Sequence, residues 1–185
     1  MHLLKLYFDY VQFPRETLRQ LVEERSFSQA CAGYLMAALG WVLFFKVSSG
    51  SSLPVFMLLV CLLFAAELIA GSIWAAFCSF VLNIGRVAVP PAPLFVLIGA
   101  VGFIRGLLIA FALIGAMFPV FRFLGVFVLL GVFCLQLGFL IRGLKRVYNI
   151  SYGWAALAWV LSFLAPGVVL IVGGILFIWM LVLLF

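Results

Sequence analysis

Leu53–Leu82 reads LPVFMLLVCLLFAAELIAGSIWAAFCSFVL, a run in which Glu67 is the sole ionisable residue. At ~1.5 Å per residue a helix of this length is roughly 45 Å long, against a bilayer hydrocarbon core of about 30 Å. The run therefore predicts a membrane-spanning helix that tilts or projects at one end. Similar runs flank it on both sides. The polar cluster Ser48–Ser52 and Lys46 close a span at about 29–47, and the segment from Asn83 to Pro93, with its three prolines, separates span two (53–82) from span three (94–118). Pro119 to Arg122 forms the shortest connection, span four covers 123–141, and the basic stretch Arg142–Arg146 precedes a last apolar segment, 152–185. That last segment is long for one straight crossing, so Pro166-Gly167 and Gly173-Gly174 are expected to kink it, with a re-entrant break as the alternative.

Composition agrees with this pattern. Of 185 residues, 69% are hydrophobic and 9% charged, a balance no soluble fold could bury. The expected fold is all-α, a polytopic helix bundle of five spans over 29–185. Residues 1–28 precede it: 1–13 mix aromatic, aliphatic and isolated charged residues, which also argues against a signal peptide. From Pro14 to Glu24, Leu18, Leu21 and Val22 form one stripe of a short helix opposite Arg15, Glu16, Arg19, Gln20 and Glu23. Such an amphipathic helix is expected to lie on the membrane surface.

The basic residues set an orientation. With five spans, the N-terminal arm and the even-numbered loops share one side and collect eight Lys and Arg, against two on the other. The positive-inside rule then places the N-terminus in the cytoplasm and the C-terminus outside. Arg15, Arg19, Arg142, Lys145 and Arg146 are the candidate contacts for lipid headgroups or a protein partner. Anionic membrane lipids are the expected partners; a protein on the cytoplasmic face and homo-oligomerisation stay open, and nucleic acid is not expected. Asn149-Ile-Ser151 matches a glycosylation sequon, but on the cytoplasmic side Ser151 is expected to cap the last helix instead.

Little in the chain suggests chemistry. There is one histidine, His2, and five carboxylates: Asp9, Glu16, Glu23, Glu24 and Glu67. Cys31, Cys61, Cys78 and Cys134 all lie in apolar runs without metal-ligand spacing, where cysteine acts as a small hydrophobe. No catalytic residue, metal site or cofactor is expected. Two ionisable groups do survive within spans, Glu67 and Arg105. Each charge costs at least about 2.5–3.5 kcal/mol near the bilayer centre. Residue counting puts both near mid-membrane on consecutive antiparallel spans, so an ion pair between them is available. It either fixes helix register or serves a small transporter, channel or lipid-moving protein. Gly102 and Gly106 flank Arg105 in small-xxx-small spacing, a candidate helix-packing face.

Two motifs carry a family resemblance. Phe13-Pro14-Arg15-Glu16-Thr17-Leu18-Arg19-Gln20-Leu21 opens a Pro-led helix, and Gly143-Leu-Lys-Arg-Val-Tyr-Asn-Ile-Ser-Tyr-Gly-Trp-Ala155 precedes the last span. With the five-span layout, they resemble the Yip-domain family, the Rab-GTPase-interacting membrane proteins and their short bacterial relatives. Ile150 stands where the second pattern has Leu, and Ser151 and Ala155 match it. The acidic D-L-Y-G-P element and long cytosolic region of eukaryotic members are missing. The resemblance thus points away from Rab binding and towards a bacterial inner membrane. It implies no catalytic residue; it implies a non-enzymatic protein acting in membrane organisation or trafficking through partner or lipid contacts.

Overall fold

A computed structural model describes residues 27–46, 52–118, 123–162 and 164. The proposed surface helix 14–24, with Arg15 and Arg19, and the proposed kinks after Ala165 lie outside those residues. Among the described residues every regular element is helical: α1 (Phe27–Lys46), α2 (Leu53–Ile84), α3 (Pro91–Gly102), a 3₁₀ turn (Phe103–Gly106), α4 (Leu107–Met117), α5 (Gly125–Tyr148) and a further helix, α6, at 152–162. Phe27–Phe45, Leu53–Ile84, Pro91–Met117 and Gly125–Tyr148 are each long and apolar enough to cross a membrane, the build of a multi-pass membrane protein. The α6 helix opens the fifth expected span, whose remainder lies outside the described residues.

Proline and polar side chains set the ends. Pro54 sits in the first turn of α2, where its missing N–H costs nothing. After α2 the chain turns through Arg86 at a left-handed φ of 62°. It is then latched back onto the helix: Val89 N–H donates to Asn83 Oδ1 (3.0 Å) and Ser79 Oγ donates to the Val89 carbonyl (2.5 Å). These bonds satisfy a buried loop backbone that would otherwise be costly. Pro91 then opens α3, so the third span starts at Pro91 and not at Leu94, because proline's fixed φ suits a first helical position.

The fourth span also differs from the expected one. It continues through Arg142, Lys145 and Arg146 to Tyr148 instead of ending at Ile141, and stops only where Asn149 turns left-handed at φ 51°. Cations are favourable beside the unpaired carbonyls of a helix C-terminus, so the charges end the apolar core without ending the helix. Ser151 accepts a bond from the Trp154 N–H (3.2 Å), the N-cap geometry its position predicts.

The rod formed by α3, the 3₁₀ turn and α4 is the centre of the bundle and packs against α1, α2 and α5. Its meeting with α1 is backbone on backbone. A Cβ placed on Gly33 would overlap the Gly99 carbonyl, one on Gly102 would come within 2.9 Å of the Gly33 carbonyl oxygen, and one on Gly40 would overlap the carbonyl of Arg105. Tyr34 spans the remaining gap. Its buried ring packs 5.0 Å from Phe95, its hydroxyl donates to the Phe95 carbonyl (3.1 Å), and its tip fills the space left by Gly71 of α2.

Candidate functional site

Glu67, Arg105 and Gln136 each lie within a turn of the middle of their spans, Leu53–Ile84, Pro91–Met117 and Gly125–Tyr148. The bundle brings the three together. Arg105 Nη1 donates to Glu67 Oε1 in an ion pair, and Arg105 Nε donates to Gln136 Oε1 at 2.9 Å. The guanidinium also lies over the Trp41 ring, 5.8 Å from its centroid, close enough for a cation–π contact. The side chains of Arg105 and Glu67 are 16% and 19% exposed, so little of either charge is left facing outward. One cation is thus held by side chains from α1, α2 and α5, and its own carbonyl packs against Gly40 of α1.

Arg105 is carried by the 3₁₀ turn, the only described break in the α-helical winding of that span. Such a tightened turn inside a helix commonly marks strain or a hinge. Gly102 and Gly106 bracket it, both buried. Gly102 meets Gly33 as a packing glycine, and the second glycine partner, Gly40, lies opposite Arg105 itself.

Beside this cluster lies a pocket of about 140 Å³, lined by Trp74, Ile98, Arg105, Phe133, Gln136, Leu137, Leu140 and Trp159. Trp74 and Trp159 form one wall, with ring centroids 5.1 Å apart. Three serines of the helices are spent on the fold. Ser72 Oγ and Ser162 Oγ bond the carbonyls one turn earlier, Leu68 (2.8 Å) and Ala158 (2.5 Å), and Ser79 holds the Val89 loop.

The basic end of α5 is a separate place. Arg142 and Arg146 are exposed, and Lys145 Nζ stands 3.6 Å from the centroid of the Tyr152 ring. Among the described residues no group of three or more His, Cys, Asp or Glu could hold a metal ion, and the four cysteines are free.

Sequence reasoning missed Trp41, Trp74 and Trp159 as neighbours of the pair. Tryptophan is ordinary in a membrane chain, so nothing in the sequence marked them. Gln136 did leave a signal, as the one amide in an otherwise apolar span. Gly33 and Gly40 left one too, with Ala37 between them at helical spacing. No protein-family model, characterised protein or solved structure matches the chain.

Proposed function

We infer that the chain is a non-enzymatic multi-pass protein of a bacterial inner membrane, resembling the Yip domain, that acts in membrane organisation through lipid and partner contacts at its cytoplasmic face. The observation that carries this reading is the basic end of α5, where Arg142 and Arg146 are exposed and Lys145 is held over Tyr152. A cationic helix end beside interfacial aromatics is the arrangement that attracts anionic headgroups, at on the order of 1 kcal/mol per basic residue. The eight-to-two split of Lys and Arg supports a cytoplasmic N-terminus and an external C-terminus. The mutual neutralisation of Glu67 and Arg105 supports a structural role for the ion pair.

The test is lipid selectivity in nanodiscs of mixed anionic and zwitterionic lipid. Changing Arg142, Lys145 and Arg146 together to Gln should remove most of the anionic enrichment around the protein, and high salt should do the same to the unchanged chain. Enrichment indifferent to both would sink the headgroup reading. Reporter fusions at Lys145 and after Phe185 test the orientation; they should report cytoplasmic and external sides respectively.

A second reading, a small transporter or lipid-moving protein built on Glu67 and Arg105, is favoured by one observation, the pocket that opens beside Arg105. Flux or scrambling by purified protein in liposomes, abolished by Glu67→Gln, would replace the first reading with this one.

A further inference from the structure

The pocket between α2, α3, α5 and α6 has walls and donors that select a ligand. Arg105 and Gln136 are the most polar of its lining residues. Arginine offers only N–H groups, so the amide oxygen of Gln136 must be the atom facing Arg105 Nε. The orientation of the amide is thereby fixed, and its NH₂ is directed away from the guanidinium. The bonds of the two side chains to Glu67 and to each other leave that NH₂ and Arg105 Nη2 unused, and neither nitrogen is fully enclosed by protein. Both residues line the pocket. A donor that faces an apolar pocket without a partner gains from a ligand that supplies an acceptor.

Charge decides what kind of acceptor fits. Glu67 already neutralises Arg105, and no other cation lines the pocket. An anionic ligand would leave one buried negative charge uncompensated, which costs several kcal/mol; a neutral carbonyl oxygen would not. Depth argues in the same direction. The cluster sits at the middle of three spans, whereas the ester carbonyls of ordinary phospholipids lie in the interfacial region outside the hydrocarbon core. Shape adds a third constraint. Trp74, Trp159 and Phe133 make much of the lining aromatic, surroundings that suit a ring. The volume of about 140 Å³ falls below the roughly 300–1,000 Å³ of pockets that enclose whole drug-sized ligands. Phe133, at the rim, is 52% exposed, which leaves an apolar tail a way out into lipid.

We propose that this pocket binds the head of a neutral, membrane-dissolved carbonyl compound, a flat ring bearing C=O groups such as the head of a lipid quinone, with its carbonyl oxygen on Arg105 and Gln136 and its tail left in the bilayer. The binding is non-covalent and involves no redox step. It is independent of headgroup contacts at the end of α5, which share none of these residues.

The test titrates the purified protein in nanodiscs with menadione, a neutral naphthoquinone, and separately with decanoate, an anionic acyl ligand, following tryptophan fluorescence and thermal unfolding. Menadione should quench saturably and raise the unfolding temperature, and decanoate should do neither. Gln136→Leu should weaken menadione binding about ten-fold, the worth of one hydrogen bond in a dry site. Leu137→Phe, which narrows the pocket and leaves Glu67, Arg105 and Gln136 in place, should weaken it as well and serves as the deciding variant if Gln136→Leu does not fold. Quenching that never saturates, menadione binding unchanged in Leu137→Phe, or decanoate binding more tightly than menadione would each overturn the proposal.

Discussion

The second and third spans are both long, apolar and single-charged, yet they occupy opposite places in the bundle. In Pro91–Met117, 61% of the most apolar stretch is buried; in Leu53–Ile84 the share is 6%. Hydropathy does not separate them, because lipid and protein interior are equally apolar surroundings. Small residues do. The central rod carries Gly99 and Gly102, against which Ala30 and Gly33 of α1 close to backbone contact, whereas α2 presents Leu58, Leu62, Ile69 and Phe80 outward. Without a hydrophobic drive between helices, dispersion at close range decides which helix is central.

The sharpest way to break this comparison is at the charges. Arg105 belongs to the central rod and has three partners; Glu67 belongs to the outer helix and has one described partner. Arg105→Ala should cost about 3–5 kcal/mol, since it strands Glu67 in a dry site. Glu67→Ala should do comparable harm by stranding the guanidinium, and the double Glu67→Ala, Arg105→Ala change should cost well under the sum of the two. Unfolding of the four proteins in mixed micelles measures the coupling. Single effects that simply add would show that the two charges act independently.

Apolar truncation should separate the two spans next. Leu97 is fully buried and its side chain fills the space over Gly143, so Leu97→Ala should cost about 2–5 kcal/mol. Leu62 is 59% exposed, and Leu62→Ala should stay within about 0.5 kcal/mol. Equal losses at the two positions would mean that the outward face of α2 is covered by protein.

Glycine gives a smaller contrast. Gly33→Val would push into the Gly99 carbonyl and should cost about 1–3 kcal/mol. Gly131 has open space where a Cβ would go, so Gly131→Ala should stabilise α5 by about 0.5–1 kcal/mol. A destabilising Gly131→Ala would reveal a partner surface on that face.

Much of the architecture was legible in the residues. Long apolar runs leave the backbone no partner except itself, so they dictate helices. The helix ends were read less well. At Ile141 an apolar-to-charged transition looked like a terminus, but hydrogen bonding, not polarity, ends a helix, and α5 runs on to the left-handed Asn149. For the site, Glu67 and Arg105 stood out because an ionisable residue in lipid is conspicuous at any position. Their neighbours Trp41, Trp74 and Trp159 did not, since an aromatic side chain is equally at home facing lipid or protein.

What the sequence determined by itself was therefore set by solvent: the all-helical build, the four described spans, and the need for each intramembrane charge to find a partner. The tertiary structure alone decided which helix lies at the centre, that Gln136 and Trp41 complete the surroundings of Arg105, and that a pocket opens beside it. Those outcomes depend on ångström-scale approach between helices far apart in the chain, such as Gly33 against Gly99 and Gly40 against Arg105. A gap of about 0.5–1 Å already forfeits a quarter to a half of the dispersion attraction, so the pattern of residue types along one chain does not reveal these contacts until the helices are packed.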